Sequence, residues 1–109
     1  VNALDPTTIG QLQATLRAAD LVPILQAFEQ DLGRLAAEYE ATVVTDREKA
    51  RRAAHALAGT AAGIGAKRLE AAARRAMPAE APDLGAEIRQ ETDAALAEIA
   101  ALAARLAAG

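Results

Sequence analysis

The sequence predicts an all-α fold, an antiparallel up-down four-helix bundle with a short additional N-terminal helix. Three observations carry that expectation. Alanine and leucine dominate while aromatic residues make up only 2% of the 109, a composition that favours helix. Apolar residues recur at spacings of three and four in several runs. No β-branched residues alternate with polar ones over a strand length, so no sheet is expected.

The elements follow in order. Asp5-Pro6-Thr7-Thr8 reads as a helix start, with Ile9, Leu12 and Leu16 on one face of a short first helix. Asp20 is the expected N-cap of the second, and Pro23 is accommodated as a first-turn residue, where backbone N–H groups lack intrahelical partners. Leu21, Leu25, Phe28, Leu32, Leu35 and Tyr39 form its seam, and the single Phe and Tyr are read as core residues. Thr45 and Glu48 have the spacing of a capping box, which starts a third helix running to Ile64. The brief connection before it favours an antiparallel neighbour. Gly63 and Gly65 weaken or bend its end, and 66–77 reads as helical again with Leu69, Ala72, Ala73 and Ala76 facing inward. One kinked helix and two separate helices both satisfy this pattern. Residues 77–82, with two prolines, form a loop, and Asp83 is placed to cap a last long helix. Its seam is Ile88, Thr92, Ala95, Ile99, Leu102 and Leu106, and its acidic residues Glu87, Glu91, Asp93 and Glu98 read as a solvated face.

The chain has the length of one domain, 1–109, able to bury a core without metal or disulfide support. With no cysteine, disulfides, thiol catalysis and cysteine-ligated metals are excluded. The apolar runs are broken by charge, so neither a membrane span nor a signal peptide is expected and the cytoplasm is the default compartment. A bundle with one seam per long helix is satisfied as a monomer. The net charge of −3 argues against a nucleic-acid partner. Its distribution is uneven: residues 46–75 carry eight basic and three acidic side chains, against four and twelve elsewhere. The only histidine, His55, lies in that basic segment, whose field favours an acidic partner or a phosphoryl group.

On a helix advancing about 100° per residue, Ala50, Ala53, Ala54, Leu57, Ala61 and Ile64 form one apolar stripe. His55 falls roughly 160° from its centre, with Arg51, Arg52, Gly59 and Ala62 around it. It is therefore expected on the solvent side, among small side chains. No second histidine or carboxylate stands one turn away to complete a metal chelate. Thr60 lies about 140° around the helix from His55, too far for a nucleophilic pair. No glycine pattern resembles a nucleotide-binding loop. What remains is a nucleophile for a phosphoryl group presented by another protein, since imidazole is largely neutral near pH 7. Ala58, Gly59 and Ala62 would keep the approach clear for a docking partner, and Arg51 and Arg52 would pair with phosphoryl oxygens. Solvated charges pairing along the helix, with Glu48 for instance, are an equally good reading of either arginine.

The run from His55 to Leu69 resembles the signature of histidine-containing phosphotransfer (Hpt) domains. His55, Leu57, Gly59, Gly65 and Leu69 match its histidine, the large apolar residue two on, glycines four and ten on, and leucine fourteen on. The resemblance implies a four-helix bundle that accepts a phosphoryl group on His55 from an aspartate of one response-regulator receiver domain and passes it to another. It implies no kinase or nucleotide-binding activity, no cofactor bound by this chain, Mg²⁺ in the receiver's acidic site, and a hybrid histidine kinase upstream. Where the family often has lysine three residues after the histidine, this chain has Ala58. Arg51, Arg52 or, from beyond the bend, Lys67 is expected to supply the missing cation. A helical adaptor that binds receivers or other partners without being phosphorylated is the alternative.

Overall fold

The structure, a computed structural model, describes residues 2–109. They form α1 (Pro6–Thr15), α2 (Ala18–Thr42), α3 (Arg47–Ile64), α4 (Lys67–Arg75) and α5 (Gly85–Ala108), with no strand among the described residues. The bundle measures 45 × 20 × 20 Å. Helix α2 is its spine, packing along both α3 and α5, while α4 lies against α3 and more lightly on α5. The N-terminal α1 touches α2 lightly and buries no residue of its own.

Large side chains from α2 and α5 meet small ones from α3 and α4. Leu21, Leu25, Leu32, Tyr39, Ile88 and Ile99 are fully buried, as are Leu57, Ile64 and Leu69. The predicted α3 stripe is wholly inside, and its alanines let the neighbouring backbones approach closely. Among the seam residues, Phe28 and Leu106 are only partly buried.

The ends of the helices differ from the sequence reading. Helix α2 begins at Ala18, and its N-cap is Arg17, whose side chain makes no capping bond. The Arg17 carbonyl accepts from the N–H groups of Asp20 and Leu21, at 3.0 and 2.9 Å. Asp20 instead sits in the first turn, near the positive end of the helix dipole, and pairs with Arg17 at 3.2 Å. Pro23 is consequently one turn deeper than expected. In α3 the cap is Asp46 rather than Thr45, its carboxylate accepting from the Lys49 N–H at 3.1 Å. Gly65 divides α3 from α4, resolving the open choice in favour of two helices. Asp83 accepts from the Gly85 N–H at 2.8 Å, but the N-cap position of α5 belongs to Leu84. The Leu84 N–H donates to the Tyr39 hydroxyl at 3.1 Å. Tyr39 is thus a buried strut between α2 and the start of α5 as well as a core residue.

Three of the four acidic residues of α5 read as a solvated face are structural ties. Glu98 accepts from the N–H groups of Ala3 and, at 3.1 Å, Leu4, and both of those residues are buried. Glu91 pairs with Arg68 at 3.1 Å, and Glu87 pairs with Arg75. Asp93 fits the solvated description, at 62% side-chain exposure with only a 4.0 Å approach from Arg89 of its own helix. Arg47 also bridges distant segments, donating to the carbonyls of Val43 and Ala81.

Among the described residues Thr92 is the one buried polar residue of the core, and its hydroxyl has no hydrogen-bond partner there. Burying an unpaired hydroxyl costs about 1–3 kcal/mol. Thr92→Val, which keeps the shape and removes the polar atom, is expected to raise unfolding stability by about 1 kcal/mol, measurable by urea denaturation. No described helix is long and apolar enough to cross a membrane.

Candidate functional site

His55 is the ninth of the eighteen residues of α3, at mid-helix, where both ends are anchored. At the N-terminal end Asp46 caps the first turn. At the C-terminal end Gly65 takes the left-handed conformation, φ 76° and ψ 22°, and its N–H returns to the carbonyls of Ala61 and Ala62. The Gly65 carbonyl accepts from the Asp5 N–H at 2.8 Å. This junction ties the chain leading into α1 to the α3–α4 break.

The inward stripe fixes the rotation of α3, and His55 emerges exposed on the opposite side with Gly59 and Ala62. Ala58 departs from expectation: at 2% exposure it lies inside the bundle, because α3 is covered on two flanks by α2 and α4. It offers no surface to a docking partner. A Cβ added to Gly59 would meet nothing within 4 Å, so packing inside the chain does not require glycine there. In a helix interior glycine costs up to about 1 kcal/mol relative to alanine.

Phe28 of α2 lies beside this face. Its ring carbons stand 3.3 Å from where a Gly63 Cβ would be, about 12 Å along α3 from His55. The sequence reading placed Phe28 in the core. Its partial exposure comes from its position at the α2–α3 edge, a pairing that periodicity on either helix alone does not reveal.

The three candidate cations have different surroundings. Arg51 makes a two-point pair with Glu48, its Nε donating to Oε2 at 3.0 Å and its Nη2 to Oε1 at 2.7 Å. The hydrogen bond from Arg51 is the main cause that lowers the Glu48 carboxyl pKa from its ordinary value, with the charges of Arg51 and Arg52 adding to it. Arg52 is exposed and has no ion-pair partner among the described residues; with Lys49 it lines a surface depression whose other wall is Glu38 and Thr42 of α2. Lys67 pairs with Asp5 at 3.1 Å, and this contact is the first cause of the lowered Asp5 pKa, followed by the Thr7 N–H. Lys67 also lies beyond Ile64, which itself is about 13 Å of helix rise from His55. Its ammonium is committed to the α1–α4 junction, and it is not brought to the histidine.

Chemically, the site is an accessible imidazole on a smooth helix face with two arginines in the preceding turn, one of them turned back onto Glu48. No group of three or more His, Cys, Asp or Glu side chains converges to hold a metal among the described residues. The family model of the Hpt domain matches residues 23–108, a span that takes in all of α3, α4 and α5 and most of α2. The chain belongs to the Hpt domain family. Its general role is therefore histidine phosphotransfer in two-component signalling, with response-regulator receiver domains and kinases as its class of partner. Members of this family are phosphocarriers rather than catalytic enzymes. Neither the curated proteins nor the solved structures contain a match to this chain.

Proposed function

We propose that His55 is the phosphoryl acceptor and donor of a relay between two receiver domains. The supporting observation is its exposure at mid-helix on a face kept low by Gly59 and Ala62. A ring-nitrogen lone pair forms the N–P bond while the aspartyl O–P bond breaks and its electron pair returns to the donor carboxylate. The second transfer reverses these steps on another receiver. The chain supplies an oriented nucleophile and no nucleotide site, and Mg²⁺ resides in the receiver. Arg52, free of any carboxylate partner, is the cation that balances the phosphoryl charge in place of a lysine at position 58. In this reading 1–109 acts as one domain and as a cytoplasmic monomer, with a hybrid histidine kinase at the head of the relay.

Incubation with a phosphorylated receiver domain tests the reading. An acid-labile, alkali-stable label on this chain supports it, whereas binding without label would favour an adaptor.

The open space around Gly59 yields a second expectation. Gly59→Ala should stabilise the fold by about 0.5–1 kcal/mol, while Gly59→Trp should leave the fold intact and slow transfer by an order of magnitude or more by obstructing close approach. Gly33→Ala on α2, where a Cβ also meets nothing within 4 Å, is the control, with a similar gain in stability and unchanged transfer. Thermal melts and transfer time courses read the two effects separately.

A further inference from the structure

Glu48, Arg51 and His55 form a ladder on one side of α3, at spacings of three and four residues. Each neighbouring pair is one turn apart, with Cβ atoms about 5–6 Å from each other. Helical side chains lean toward the N-terminus, so His55 inclines over the turn that carries Arg51 and Arg52. Arg51 inclines away from it and onto Glu48, where the two-point pair is seen. A phosphoryl group on the His55 ring would extend further over Arg51. It carries more charge than a carboxylate and presents three acceptor oxygens.

We infer that Arg51 is a positioning residue that exchanges partners: it is parked on Glu48 while His55 is bare, and it moves to the phosphoryl oxygens when His55 is phosphorylated. This rests on His55 being the phosphorylated residue. The pair is built for exchange, because both side chains are substantially exposed, 42% for Arg51 and 61% for Glu48. Exposed ion pairs of this kind are weak and screened by solvent, so a stronger anion one turn away can displace the carboxylate.

The exchange has a consequence for the partner surface. In the bare state Glu48 is neutralised, and an acidic receiver site meets the uncovered charge of Arg52. After transfer both guanidinium groups face the phosphoryl oxygens and the Glu48 carboxylate is released as a free negative charge about 10 Å along the helix. The same face thereby attracts the acidic donor before transfer and repels it afterwards. The other charged groups bordering this face are Lys49 on α3 and Glu38 on α2, beside Arg52, and Arg47, which lines one depression with Glu48 and Arg51 but is held by the carbonyls of Val43 and Ala81.

The test uses the near-neutral protonation of the phosphorylated imidazole, shared between its free ring nitrogen and the phosphoryl oxygens, followed by ³¹P NMR between pH 6 and 9. The full chain is loaded with phosphoramidate, which phosphorylates imidazole without any protein partner, so a failure of receiver-dependent transfer leaves the measurement intact. Contact with a guanidinium favours the dianion, so Arg51→Ala should raise the midpoint by about 0.3–0.7 pH unit. Glu48→Gln frees Arg51 and should lower it. In the double variant the effect of Glu48→Gln should shrink to that of a distant carboxylate, leaving the two substitutions strongly non-additive. Additive shifts, or an unmoved midpoint in Arg51→Ala, would overturn the exchange. Arg51→Lys should restore part of the shift without the two-point geometry.

Discussion

His55→Gln is expected to fold as the unsubstituted chain does and to accept no phosphoryl group. Glutamine preserves a polar side chain of comparable reach but has no ring nitrogen lone pair to form an N–P bond. Because His55 is exposed on the outer face of α3, the change in stability should stay within about 0.5 kcal/mol. The comparison is a paired one: urea denaturation and helical circular dichroism should superimpose for the two proteins, and the label transferred from a phosphorylated receiver should fall to background in the variant. Retained label in a folded His55→Gln chain would place the acceptor elsewhere and sink the proposed relay. Loss of both fold and label would instead contradict the exposed position of the side chain.

Gly65→Ala is expected to be the most damaging of the small substitutions in the motif. Its φ of 76° is a conformation that costs an L-residue about 1–2 kcal/mol. The new Cβ would also stand 2.8 Å from the Thr8 Cβ, 3.0 Å from its Oγ1 and 3.2 Å from the Asp5 Cβ. Relief requires the segment leading into α1 to move away, at the expense of the Asp5 N–H to Gly65 carbonyl bond. A loss of about 2 kcal/mol or more in unfolding free energy should result. Adding Thr8→Gly removes the closest contact but not the backbone strain, so it should recover only part of that loss. Gly59→Ala is expected to have the opposite sign, although both glycines belong to one motif. One is demanded by the chain's own backbone and neighbours; the other has no internal reason to be glycine.

That contrast marks how far the sequence could be read. The inward stripe of α3 and the seams of α2 and α5 were legible because helical periodicity records which side must leave water, and the exposure of His55 followed as its complement. Motif spacing indicated the family, which the match over residues 23–108 bears out. Cap positions were less legible. Arg17 and Asp20, or Thr45 and Asp46, are alternatives a few residues apart, and the path of the preceding chain chooses between them.

The charged residues were the least legible. Glu98 looked solvated, yet it holds the N–H groups of Ala3 and Leu4, more than ninety positions away in the chain. Lys67 looked available to the histidine, yet Asp5 occupies it. Ala58 looked like part of the docking face, yet α2 and α4 enclose its side of α3. By itself, then, the sequence determined the helices, their buried faces and the solvent-facing position of one histidine, since each depends on a local period along one helix. Which small residues stay accessible beside His55, and which cations stay free to meet a phosphoryl group, was decided only by the tertiary structure. Those properties depend on pairs of residues from different helices, and no periodicity within one helix encodes its neighbour's register.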